Sequence, residues 1–257
     1  MKILAVGDIV GLNGLNKLKE ILPNLKQREK IDFVIVNGEN VAGGMGITQK
    51  DFKQILFAGA DVVTLGNHTW SKKDVFNIID DEKLLRPANY PKNVLGKGYN
   101  IYSYKNKKIA VINLIGRTNM GILAENPFLE ADEIIEKIKG KVDFIVIDFH
   151  AEATAEKIAM GYYLDGKVTC VFGTHTHVAT ADETILEKGT AYITDIGMTG
   201  PRKSVIGMDA EASIKRFLTS LPERYKVSDD EEIICSGCIL KLNSETCRAE
   251  KITRIKL

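Results

Sequence analysis

Very little stands out in the composition of this chain, and each shortage excludes something. Its 257 residues carry 35 basic and 34 acidic side chains, a net charge of +1. No overall field therefore marks a partner of long nucleic acid or of a membrane surface. No apolar run approaches the length of a membrane span. Residues 1–8 hold one basic residue and a very short apolar stretch, unlike a signal peptide, so a cytoplasmic protein is expected. Cysteine is too sparse for a disulfide framework, with only Cys170, Cys235, Cys238 and Cys247. Cys235 and Cys238 have the spacing of half a zinc site or of a redox pair. They have no second pair, and they sit inside the apolar run 233–240, so they read as small residues packed in a strand. There is no repeat, low-complexity tract or Ser/Gly-rich linker, and residues 1–257 are read as a single domain.

What is present is alternation. Short runs of β-branched and aliphatic residues at 3–6, 33–36, 62–65, 109–114, 144–147, 168–172 and 191–193 each end in a turn rich in Gly or Asn. Such runs predict buried strands. Helical spacing lies between several of them, at 15–22, 48–57, 73–79, 130–138 and 155–164. The alternation predicts an α/β fold, with sheet covered on both faces in a two-layered or sandwiched domain. Two departures follow. Residues 99–114 predict a hairpin turning at Lys105-Asn106-Lys107. After a helical stretch at 210–218, Val227 and the runs 233–240 and 252–257 predict a final antiparallel group.

The chain has only four histidines, and each lies beside Gly, Asn, Asp or Thr at the end of an apolar run: His68, His150, His175 and His177. In open α/β sheets ligands bind at the carboxyl ends of strands. Here those ends carry Gly7-Asp8, Asn37-Gly38-Glu39-Asn40, Gly66-Asn67-His68, Asp148-Phe149-His150 and Gly173-Thr174-His175-Thr176-His177. Taken singly, Asp8 reads as a cap or turn former, the Asn-Gly-Glu-Asn run as a turn, and His150 as a core histidine. His175 and His177 are a stronger pair, because residues two apart on an extended segment share a face. Five such ends in one chain point to a metal site. Carboxylates, carboxamides and imidazoles suit Zn²⁺, Mn²⁺, Fe or Ni²⁺, and their number exceeds the needs of one ion. Two ions roughly 3.5–4 Å apart would use them and would suit displacement at phosphorus.

As a set, in order and across nearly the whole chain, these motifs resemble the calcineurin-like metallophosphoesterases, and in particular the YmdB-type branch. The segment Thr194-Asp195-Ile196-Gly197-Met198-Thr199-Gly200 is similar to that branch too. Val10 stands where the broad superfamily has a histidine, and Glu39 where it has a bridging aspartate. The branch is similar in both respects. The resemblance implies a sandwich of mixed β-sheets flanked by α-helices. It implies that Asp8, Asn40 and His177 hold one metal, that Asn67, His150 and His175 hold the other, and that Glu39 bridges them. It implies iron or manganese, with zinc as a third candidate. It further implies a phosphodiesterase acting on a cyclic nucleotide such as 2′,3′-cyclic AMP, by attack of a metal-bridging hydroxide with His68 as proton donor, and a homo-oligomer. His68 suits that role if Asn67 and His68 are adjacent on an extended segment and point apart. Arg117 could reach a phosphate, though a solvated loop arginine is the commoner case. Trp70 and Tyr90 could stack on a base, though core packing is the commoner use.

Three rival readings are weaker. A dinucleotide-binding domain fails because Gly7, Gly11 and Gly14 lack the fingerprint spacing and Asp8 would face a pyrophosphate. A nucleotide-binding regulator with a metal site and little turnover has less need of His68. A phosphomonoesterase or nucleotidase would keep the same ligands, whereas the neutral charge disfavours long nucleic acids.

Overall fold

The computed structural model describes residues 1–224 and 226–257. In chain order the strands of the first half are Lys2–Val6 (β1), Asp8–Ile9 (β2), Phe33–Asn37 (β3), Val62–Thr64 (β4), Leu84–Leu85 (β5), Tyr99–Tyr104 (β6) and Lys107–Ile115 (β7). Those of the second half are Phe144–His150 (β8), Cys170–Thr174 (β9), Thr184–Ile185 (β10), Ala191–Ile193 (β11), Met198–Pro201 (β12), Ile233–Leu242 (β13) and Ala249–Lys256 (β14). The helices are Gly11–Glu29 (α1), Gln49–Ala58 (α2), Pro127–Ile138 (α3), Thr154–Tyr163 (α4) and Ala210–Thr219 (α5).

The described residues form two sheets. One runs β2-β12-β13-β1-β3-β4-β5, with β14 also on β13; the other runs β10-β11-β9-β8-β7-β6. Both are mixed. β1, β3, β4 and β5 are parallel, as are β7, β8, β9 and β11, while β13 runs antiparallel to β1, β12 and β14. The hairpin is present, with β6 and β7 paired from Tyr99↔Ile112 to Tyr104↔Lys107.

Side-chain alternation explains why the strands read as continuous apolar runs. Ile3, Ala5, Phe33, Ile35, Ile109, Val111, Phe144 and Val146 fill the layer between the sheets. Their neighbours Leu4, Val6, Val34 and Val36 pack outward on Leu15, Leu18 and Leu22 of α1 and on Phe52 and Ile55 of α2. On the far side Ala110, Ile112 and Ile147 meet Ile134, Ile135 and Ile138 of α3 and Met160 of α4. So each sheet has one face on the other sheet and one under helices. The single alternation of strand and helix could not distinguish this from one sheet covered twice.

Local chemistry sets the helix ends. Thr48 and Asp51 form a capping box before α2: the Thr48 hydroxyl accepts the Asp51 N–H at 3.2 Å, and the Asp51 carboxylate accepts the Thr48 N–H at 3.3 Å. α1 continues through Pro23 to Glu29, past its expected end, because Leu22 and Leu25 extend its buried stripe. Two expectations are corrected. Residues 73–79 do not make an α-helix but a short 3₁₀ turn, Lys73–Asn77, of which only Val75 is buried. Val227 joins no strand and makes only an isolated bridge to Met208. Cys235 and Cys238 lie three apart on β13 and so face opposite ways, into the α1 layer and the inter-sheet layer. Burial pushes their thiols up to about 11 and about 12. They pack as apolar residues do.

Candidate metal centre

The carboxyl ends of β1, β3, β4, β8 and β9 meet at one rim, and the eight residues singled out in the sequence meet there with them. His150 ends β8 and is fully buried. Its Nε2 lies 3.0 Å from Glu39 Oε1, 2.9 Å from Asn67 Oδ1 and 3.0 Å from His175 Nδ1. Glu39, His150 and His175 present ligand atoms all within 4.8 Å of one another. His177 Nε2 lies 3.8 Å from Asp8 Oδ1. Asn40 is buried in the same cavity wall, its Nδ2 donating to the Gly44 carbonyl at 2.9 Å. His68 lines that cavity, and its backbone N–H donates to Glu39 Oε2 at 3.0 Å.

Protons fix which way each imidazole faces. The Thr174 hydroxyl donates to Asp148 Oδ1 at 2.6 Å, so at 2.9 Å from His150 Nδ1 it accepts. His175 Nε2 donates to Glu152 Oε2 at 3.1 Å. His177 Nδ1 donates to the Ile206 carbonyl at 2.7 Å. Each ring directs one N–H to an outer acceptor and turns its other nitrogen inward, where it offers a lone pair once the ring is neutral. This is how metal-binding histidines are oriented. One proton could not serve the three atoms around His150 Nε2; a cation among them could.

Two further features fit a cation. Asp8 Oδ1 and Asn40 Oδ1 are buried without a hydrogen-bond partner, an arrangement that is costly unless something binds them. Gly66 is pressed so close that a Cβ there would collide with His150 Nε2 and Glu39 Oε2. With protein charges alone, the group titrates as a coupled set. Burial acts to lower His150, but Glu39, then Asp8, raise it to about 9. Burial acts to raise Glu39, and His150 overrides it to bring it to about 2. Burial raises Asp8 to about 6, and burial with the neighbouring His150 lowers His175 to about 3. A bound cation replaces the His150 proton and inverts this balance.

The route by which the histidines converge differs from the extended segments expected. His175 and His177 have φ of 96° and 65°, so their backbone is not extended. They reach the site because the Asp195 carboxylate grips Thr176 between them, accepting its N–H at 3.2 Å and its hydroxyl at 2.7 Å. Asp195 is held in turn by Lys157 of α4 at 2.7 Å, with both side chains buried. Asn67 and His68 lie in a turn. Arg117 stays exposed, its backbone N–H on Glu156 at 3.0 Å. Trp70 stacks on Phe76 at 5.7 Å, and the Tyr90 hydroxyl donates to the Gly66 carbonyl at 3.1 Å, so both serve packing.

Beneath the ligand set lies a polar floor that was not singled out from the sequence. Asp148 is fully buried and accepts from Thr64 at 2.6 Å, Thr174 at 2.6 Å and Asn37 at 3.3 Å. Its signal was available: Asn37 and Asp148 each lie two residues before a candidate ligand, in runs otherwise apolar. Glu152, two residues after His150, carries no sequence signal of its own.

The pattern of the YmdB-like protein family matches residues 4–255. The chain belongs to this family. A Bacillus subtilis (strain 168) relative named 2′,3′-cyclic-nucleotide 2′-phosphodiesterase is 50% identical over 256 residues, spanning 99% of this chain and 96% of that protein. The structure of a novel phosphatase from Mycoplasma pneumoniae superposes with a TM-score of 0.95 at 38% identity, covering 100% of this chain and 93% of the other. That of a hypothetical protein from Thermus thermophilus gives 0.94 at 36% identity, covering 100% and 99%. The YmdB-like chain thus has the mixed-sheet sandwich flanked by helices that the resemblance implied. Its family implies divalent metal ions, and the ligand chemistry above fits them. Loss of an outer partner should be felt at the metal: Glu152→Ala is expected to lower cation affinity roughly 10–100-fold. Competition with a chelator would measure this, and unchanged affinity would remove Glu152 from the site.

Proposed function

We propose that this chain hydrolyses 2′,3′-cyclic nucleotides, opening the ring at the 2′ oxygen, at a centre of two transition-metal ions. The observation that carries this is the set of three imidazoles whose outer nitrogens are committed and whose inner nitrogens face carboxylates and carboxamides at a cavity of about 500 Å³. Substrate class is taken from the name of the Bacillus subtilis relative. Asp8, Asn40 and His177 would hold one ion, Asn67, His150 and His175 the other, and Glu39 both. Iron or manganese is our assignment, with zinc the third candidate. Bound there, the ions would neutralise the phosphate and bring the pKa of a water near 7.

His68 supplies the proton. A water that has lost one proton to solvent adds to phosphorus as hydroxide, the bond to the 2′ oxygen breaks, that oxygen takes a proton from His68, a 3′-phosphate monoester leaves, and His68 regains its proton from solvent. Burial lowers the His68 pKa below its ordinary value, an effect that Glu39 partly offsets. An acid must be protonated to act, so kcat should fall as pH rises through the His68 pKa of the substrate complex. His68→Ala should keep its metals, lose that falling limb, and lose roughly 10²–10⁴-fold in rate. The loss should shrink for a nitrophenyl diester, whose leaving group needs no proton. Equal losses on both substrates would remove the assignment.

The direct test is a panel of 2′,3′-cyclic, 3′,5′-cyclic and linear nucleotides with and without chelator, the product identified as 2′- or 3′-phosphate. Chelator-sensitive opening of 2′,3′-cyclic nucleotides to 3′-phosphates is expected. Absence of chelator-sensitive turnover on every phosphodiester would sink the proposal. The buried free thiols of Cys170, Cys235 and Cys238 suit a reducing compartment, and we place the enzyme in the cytoplasm.

A further inference from the structure

The cavity is lined by two chemically different sets of residues. One is the polar cluster of Glu39, His68, His175 and His177; the other is an apolar wall of Met45, Val205, Ile206, Met208 and Phe217. The hydroxyls that reach this wall are already committed. Ser213 donates to the Asp209 carbonyl at 2.7 Å, and Thr176 donates to Asp195 at 2.7 Å. Among the described residues, the apolar part of the lining therefore offers area and polarisable sulfur, with no free side-chain donor.

Ile206 joins the two sets. Val205 and Met208 exchange backbone hydrogen bonds of 2.9 Å each way, closing a two-residue turn over Ile206 and Gly207. Both central residues have positive φ, 49° and 95°. That is the type I′ geometry, which favours Asn-Gly. A β-branched residue at positive φ is an outlier, so this turn has a side chain that its backbone does not favour. The Ile206 carbonyl takes the His177 Nδ1 proton at 2.7 Å, while its side chain stands in the cavity wall, 49% exposed. Phe217, on α5, is 79% exposed with its ring at the same wall.

We propose that Ile206, with Met45, Met208 and Phe217, is a nucleobase platform: the phosphate sits at the histidines and the base lies flat against this wall. This rests on the phosphodiesterase reading above and adds the residues that recognise the nucleoside. A planar π face is what such a surface takes, through aromatic stacking and contact with thioether sulfur. The turn then fixes both halves of the site, since one residue orients a metal-facing imidazole through its carbonyl and the base through its side chain.

The test compares 2′,3′-cyclic AMP with 1-O-methyl-ribose 2′,3′-cyclic phosphate, which has the same ring and no base. Ile206→Asn installs the residue this turn favours, so the carbonyl, the metal content and the melting temperature should be retained. The ratio of kcat/KM for the nucleotide to that for the base-free ester should fall on the order of tenfold. Most of the fall should appear in KM for the nucleotide. Phe217→Ala, on the surface, should lower the same ratio. A ratio that holds in both variants overturns the platform. So does a Phe217→Ala protein whose ratio holds while its sedimentation shows a lost oligomer, because the wall would then belong to a second copy. If the unaltered enzyme hydrolyses neither ester, the phosphodiesterase reading fails and takes this inference with it. Hydrolysis of both esters by all three proteins with one common ratio fails the platform alone.

Discussion

A Gly66→Ala protein is expected to lose most of its bound metal and at least about 10²-fold in kcat/KM, because misplacing a reacting group by about an ångström is enough for that. The new methyl would have to occupy space held by His150 Nε2 and Glu39 Oε2. Neither can yield easily. His150 is pinned through Nδ1 on Thr174, and Glu39 is buried under the backbone N–H of His68. Nor can the turn swing outward, since the Gly66 carbonyl accepts from the Tyr90 and Thr69 hydroxyls at 3.1 and 2.6 Å. The clash is local, at the rim and not in the apolar layers, so the fold should persist. Elemental analysis and hydrolysis of 2′,3′-cyclic AMP, read beside a melting curve, would check this. A folded Gly66→Ala enzyme with full metal content and full turnover would mean that the reactive centre lies elsewhere.

The second large effect concerns stability. Lys157→Met should cost roughly 3–5 kcal/mol of unfolding free energy, because it leaves the buried Asp195 carboxylate without its cation. Asp195→Asn removes the charge and keeps one oxygen, which can still accept the Thr176 N–H and hydroxyl at the Oδ2 position, at 3.2 and 2.7 Å, while the Gly197 N–H loses its Oδ1 acceptor. The double variant should therefore recover much of the loss, giving a coupling energy well above that of an exposed pair. Urea denaturation of the four proteins measures the cycle. Additive losses would show that the two side chains do not depend on each other. Because Asp195 grips Thr176, metal affinity should follow stability, falling in Lys157→Met and returning in the double variant.

The two predictions bear on different levels of legibility. Strands were readable because both faces of each sheet are buried, so Ile3 and Leu4, or Val34 and Ile35, are apolar whichever way they point. The Lys73–Asn77 turn is not legible as such, because apolar spacing over so short a span does not distinguish 3₁₀ from α. Candidate ligands were readable because polar residues at the ends of apolar runs are rare enough to notice. Their supports were not. Thr174 and Asp148 look like ordinary strand residues until the proton on His150 has to be placed. Lys157 looks like one more helix-surface lysine until it is found buried against Asp195, 38 positions away.

The sequence by itself determined most of the elements and which polar side chains end the strands, because period, capping and turn chemistry act over a few residues. Only the tertiary structure decided how those side chains face. The left-handed backbone of His175 and His177, the tautomers set by Thr174, Glu152 and the Ile206 carbonyl, and the apolar wall opposite them all arise from contacts between distant segments. A ring nitrogen is turned inward as a ligand when the other nitrogen donates its N–H to a placed acceptor, and in this protein those acceptors come from other segments of the chain.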